Sequence, residues 1–86
     1  PFQLSQNSPN PFRASTRITY RLDEAGMVSL ALYDVMGRSV RTLVNGLQAS
    51  GVHDLTLDGE GLPAGIYWYR LTAAGRTETR QAIRVR

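Results

Sequence analysis

Leu62-Pro63-Ala64-Gly65-Ile66-Tyr67-Trp68-Tyr69-Arg70-Leu71-Thr72 reads as the central strand of the protein. Pro63 and Gly65 close a loop, and the aromatic and aliphatic run behind them suits a pleated surface packed on at least one side. Alternation places Tyr67, Tyr69 and Leu71 on one face and Ile66, Trp68 and Arg70 on the other. Arg70 must reach water, so the first set is expected to face inward and to gather most of the core. Trp68 is then the one conspicuous outward aromatic. It is either a half-buried packing residue under a neighbouring loop or a contact for a ligand or partner.

Upstream, Thr16 to Leu22 alternates cleanly, with Ile18, Tyr20 and Leu22 opposite Arg17, Thr19 and Arg21. After Asp23-Glu24-Ala25-Gly26 turns the chain, Met27 to Tyr33 sets Val28, Leu30 and Leu32 inward. Asp34-Val35-Met36-Gly37 has Asp first and Gly fourth, the signature of a type I turn closed by a left-handed residue. Arg38 to Val44 should return as the partner strand, giving a hairpin from Met27 to Val44. Asn45-Gly46 reads as a second turn. Gly51 to Leu57 forms a further strand, with His53, Leu55 and Leu57 on one side. Downstream of the central strand, Ala73-Ala74-Gly75 turns the chain into Arg76 to Arg86. There Ile83 and Val85 form an apolar face that holds the strand on the sheet, and Arg80, Arg84 and Arg86 form a basic face.

The amino-terminal Pro1 to Phe12 cannot be helical, because Pro9 and Pro11 fix φ and push their predecessors into extended geometry. It should be a rigid lead-in that Phe2, Leu4 and Phe12 pin to the sheet edge. Six to seven short strands, no helical periodicity and turn signals between them predict an all-β fold, an antiparallel immunoglobulin-like β-sandwich occupying residues 1–86 as a single module.

Eighty-six residues leave little room for a deep catalytic cleft. The chain begins at Pro1 and carries neither a signal peptide nor an apolar run near membrane-spanning length, so it reads as a module of a longer protein. Without cysteine there is no disulfide framework and no thiolate metal site. All ten basic residues are arginine, and the net charge is +3. These arginines alternate with apolar residues at period two, the look of solvated strand faces rather than of a nucleic-acid stripe.

No catalytic constellation emerges. His53 is the sole histidine, and Asp54 beside it on a strand points to the opposite face. His53 is expected at the core edge, bonded to backbone or a neighbour, since no second imidazole exists to build a metal site with it. Asp58-Gly59-Glu60-Gly61 lacks the full run of alternating ligands a cation loop needs and reads as a plain turn. No catalytic, cofactor or metal site is therefore expected, and the module is not an enzyme in its own right.

Four pieces in order resemble a known family: Asn7-Ser8-Pro9-Asn10-Pro11-Phe12, Val28-Ser29-Leu30-Ala31-Leu32-Tyr33-Asp34-Val35-Met36-Gly37-Arg38, Leu62-Pro63-Ala64-Gly65-Ile66-Tyr67, and a basic-ended last strand. Together they are similar to the type IX secretion system C-terminal sorting domain, a pattern that overlaps the immunoglobulin-like domain of flagellar hook-capping proteins. The resemblance implies a module recognised in the periplasm by the outer-membrane secretion machinery, then removed by a sortase-like peptidase or kept as a cell-surface anchor. Its parent would commonly be a hydrolase, secreted or displayed on the cell surface. Carried over residue by residue, Asn10, Pro11 and Phe12 match the opening motif, Asp34 and Gly37 the hairpin turn, Gly65 and Tyr67 the Gly-x-Tyr motif, and Arg84 and Arg86 the basic end. Ser8, where an aromatic is frequent, and Arg13-Ala14, where Asn-Pro is often seen, depart from the family pattern.

An exposed sheet edge, a basic strand face and a rigid lead-in are means of being bound. Besides the secretion machinery, the expected contacts are the parent catalytic domain and weak self-association, with Arg80 joining Arg84 and Arg86 as a recognition candidate. Two other readings stay open: a carbohydrate-binding module that stacks sugars on Trp68 and Tyr33, and a structural accessory domain of a secreted enzyme.

Overall fold

The computed structural model describes residues 2–86, so the part of the expected lead-in at Pro1 lies outside the described residues. Seven strands follow one another: β1 (Gln3–Leu4), β2 (Ser15–Leu22), β3 (Gly26–Tyr33), β4 (Ser39–Gln48), β5 (Gly51–Asp58), β6 (Gly65–Ala73) and β7 (Arg76–Arg84). They form two antiparallel sheets, ordered β1-β2-β5 and β4-β3-β6-β7, that face each other as an immunoglobulin-like sandwich.

The alternation written in the sequence places the core. Ile18, Tyr20 and Leu22 of β2 and Leu57 of β5 meet Val28, Leu30 and Leu32 of β3 and Tyr67, Tyr69 and Leu71 of β6. Leu4 and Phe12 of the lead-in are buried among them, as their spacing predicts. β6 lies inside its sheet, paired with β3 from Trp68 to Ala73 and with β7 along its whole length. Near its start the Tyr67 hydroxyl donates to the Pro63 carbonyl at 2.5 Å, the tyrosine corner of immunoglobulin-like sandwiches.

Two local readings need correction. Asn45-Gly46 is not a turn: both residues lie inside β4, with Asn45 opposite Ser29 and Gly46 opposite Val28. The chain reverses instead at Ala49-Ser50, where Gly51 takes a φ of 112°. Pairing along β3 thus overrides the local preference of the dipeptide, and β4 absorbs two register shifts on the way.

The faces of β7 are also exchanged relative to expectation. Tyr67 pairs with Ala82 and Tyr69 with Arg80, so Ala82 is the fully buried contact and shares its face with Arg80 and Arg84. Ile83 and Gln81 instead line the outer face beside Ile66 and Trp68. A small residue suits the inner face because two tyrosines opposite it already fill the space, while at this sheet edge Arg80 reaches the Leu4 carbonyl and Arg84 packs on Gly59.

His53 sits at the core edge. Its ring stacks on Tyr20, with centroids 5.1 Å apart, and its Nε2 lies 2.7 Å from the Ala49 carbonyl oxygen.

Candidate docking surfaces

The Asp34–Arg38 turn is built by one carboxylate. Asp34 Oδ1 accepts the N–H groups of Met36 at 2.9 Å and Arg38 at 3.0 Å, while Oδ2 accepts Arg38 Nε at 3.0 Å. The Gly37 amide donates back to the Asp34 carbonyl, and Gly37 takes a φ of 81° that a side chain would oppose. The amide of Arg38 above all, then that of Met36 and the Arg38 guanidinium, hold the Asp34 carboxyl below the usual carboxylate range. Asp34 and Gly37 thus shape the turn and leave its apolar tip, Val35 and Met36, 67% and 75% exposed.

Across from that tip lies the start of β6. Between them opens a cleft of about 650 Å³, walled by Val35, Val40, Pro63, Ala64, Ile66 and Tyr67. Gly65 enters the strand with a φ of 155°, and a Cβ there would meet nothing within 4 Å, so glycine is held by its backbone and not by crowding. Arg41 closes the floor by donating to the Asp58 carbonyl at 2.6 Å and the Glu60 carbonyl at 3.0 Å. Asp58–Gly61 is itself a turn, in which the Glu60 amide donates to Asp58 Oδ1.

Asn10 and Pro11 belong to a strap that seals the outer edge of β7. Asn10 Oδ1 accepts the Ile83 amide at 2.8 Å, the Phe12 amide donates to the Ile83 carbonyl, and the Val85 amide donates to the Phe12 carbonyl. Further along, Arg80 Nε donates to the Leu4 carbonyl at 3.1 Å and the Leu4 amide to Glu78 Oε1 at 2.7 Å. The Ile83 amide and carbonyl and the Val85 amide are backbone groups that an unprotected edge would offer to another chain.

The arginines therefore do different things. Arg80 binds the strap. Arg84 is half-buried, its Nε shielded from water without a hydrogen-bond partner and packed so closely on Gly59 that a Cβ there would fall 2.5 Å away. Arg86, beyond the end of β7, is exposed. Since Gly65 pairs with Arg84 across the β6–β7 ladder, the turn, the Gly-x-Tyr motif and the basic end all meet at one end of the sandwich.

Trp68 is 40% exposed on the outer face of the four-stranded sheet, opposite Tyr33 on one side and Gln81 on the other. The Arg70 guanidinium lies 4.8 Å from the centre of the Tyr33 ring. The outward aromatic is thus where alternation puts it, with part of the Tyr33 face already occupied.

Sequence reasoning missed two features of this end. The tyrosine corner is signalled by Leu62-x-x-Gly65-x-Tyr67, a spacing that lets a phenol reach the carbonyl four residues back. The cleft has no sequence signal, since it arises from a turn and a loop brought together only by the β3–β6 pairing.

Fold and surface together define a β-sandwich with an apolar cleft at one end and a strapped edge along β7. A family model described as the secretion system C-terminal sorting domain matches residues 8–85, and the chain belongs to that family. Its role is that of a type IX sorting signal, a non-catalytic module that engages the secretion machinery and sends its parent to the cell surface or the medium. Among curated proteins, none matches the chain.

Proposed function

We propose that this module forms the carboxy-terminal end of a longer exported protein, a hydrolase, and carries it from the periplasm through the outer membrane. There a sortase-like peptidase removes the module, or it stays as an anchor. The observation that carries this reading is the meeting of Asp34, Gly37, Gly65, Tyr67 and Arg84 at one end of the sandwich, where a receptor could touch all the motif segments at once. Arg86 adds an exposed charge beside them.

The test fuses the module to a folded passenger in a cell carrying the type IX machinery and measures passenger outside the cell. The intact module should release or display it, and a truncation at Ala74, which removes β7, should leave it in the periplasm. Arg86→Glu should lower export without unfolding the module, because it places an acidic group before a receptor selected for basic ones. If the intact module leaves its passenger in the periplasm while purified module binds polysaccharide through Trp68, the carbohydrate reading replaces this one.

A further inference from the structure

β6 is longer than the strand that flanks it. It pairs with β7 from Gly65 onward, but with β3 only from Trp68, because β3 ends at Tyr33 and the chain curls into the Asp34–Arg38 turn. Among the described residues, no hydrogen bond links the backbone of Gly65, Ile66 or Tyr67 to that turn. Along an antiparallel ladder each residue directs its N–H and C=O to one side, alternating from residue to residue. At least one of these three therefore offers both groups to the vacant side, which is the cleft. Its walls are apolar, with Val35, Val40 and Ile66 each more than 40% exposed. The charged residues that line it are Asp34, Arg38 and Arg41, two cations against one anion. Asp34 and Arg38 pair with each other, whereas Arg41 meets only carbonyl oxygens.

We propose that this cleft takes an extended segment of a partner protein, which adds as a short strand beside Gly65–Tyr67. Its apolar side chains seat against Val35, Val40 and Ile66, and a carboxylate faces the excess positive charge at Arg41. An unpaired stretch of backbone supplies affinity, and the apolar wall with its cation selects an acidic, alternating sequence over a basic one. The proposal rests on the module being bound by the secretion machinery and names the kind of segment that binds it. It also separates this site from the outer edge of β4, the other edge of the same sheet.

The probe is a short acetylated peptide of alternating valine and aspartate, titrated into the isotopically labelled module and followed by amide shifts and amide exchange. Saturable binding with slowed exchange within Gly65–Tyr67 is expected, and a valine–lysine peptide should bind weaker by about tenfold. Val35→Glu, in an exposed turn position, should weaken the aspartate peptide similarly while leaving the fold intact. Absence of binding, equal binding of the lysine peptide, or changes confined to Thr42–Gln48 of β4 would overturn the proposal, and the map on the unmodified module decides this even if the variant misfolds. In the passenger assay, normal export by the Val35→Glu module sinks the inference and spares the sorting reading. Failure of the unmodified module sinks the sorting reading itself and this inference with it.

Discussion

The Tyr69 hydroxyl and the Asn7 amide are hydrogen-bonded at 2.7 Å in the core, and the same hydroxyl donates to the Ser5 carbonyl at 2.7 Å. One phenol thus holds the lead-in against β6, while the Asn7 side chain carries the contact onward to Thr16 of β2 at 2.9 Å. Tyr69→Phe removes an acceptor and a donor at once and strands a buried N–H. The expected loss is about 1–3 kcal/mol in denaturant titration, with the fold kept.

Tyr67→Ala should cost about 3–5 kcal/mol and Trp68→Ala far less, because the first empties a core site and the second trims a half-open face. Denaturant midpoints compare them directly, and equal losses would mean that Trp68 packs more tightly than its exposure indicates.

That contrast also marks what the sequence made legible. Strict alternation with Arg70 in the run orients β6 without ambiguity, since only one face tolerates a charge. In β7 the same rule misleads: its charges, Arg76, Glu78, Arg80 and Arg84, all share the face that turns inward at this sheet edge, and its buried contact is an alanine, whose small size matters only once Tyr67 and Tyr69 are known to face it. Asn45-Gly46 misleads for a related reason, because turn chemistry is local whereas the β3 partners that straighten it are not. The motif residues could be named from the sequence, but their meeting at one end depends on the Gly65–Arg84 pairing.

Stability should fall at both ends of the pH scale. Burial pushes the Tyr69 phenol up to about 12 from an ordinary value of 10.0, so the unfolded chain ionises first. The resulting advantage of the folded state is intact below about pH 10 and disappears as the pH climbs through about 12. Burial moves Tyr20 in the same direction. In acid the sign reverses: Asp34, and Asp23 through its bond to Arg76, have lowered folded values, so their support is present above about pH 4 and lost as the pH drops through those values. Denaturant titrations across pH should show Asp34→Asn flattening the acid limb and Tyr69→Phe flattening the alkaline one.

The β6–β7 hairpin turns through Ala74 and Gly75, both in the left-handed region, at φ of 52° and 75°. Alanine is poorly suited there, and asparagine tolerates it. Ala74→Asn should raise stability by about 0.5–1 kcal/mol, read as a shift in the denaturant midpoint with an unchanged slope.

Arg84 and Arg86 should separate in the same assay. Arg86→Glu changes an exposed end and should stay within about 0.5 kcal/mol of the parent. Arg84→Glu sets a carboxylate in the half-buried place beside Gly59, and should cost about 1–3 kcal/mol.

The lead-in touches both sheets, through β1 on β2 and through Phe12 on β7. A parent tugging on the amino-terminal side would therefore not pull a single strand out of one sheet. The load would pass first to the β1–β2 ladder and the Tyr69 hydroxyl, and then to the bonds between Phe12 and β7, so the tether would yield in stages. The last of these holds adjoins Arg84, so a pull from the amino-terminal side would reach the motif end of the sandwich only after the earlier ones had given way.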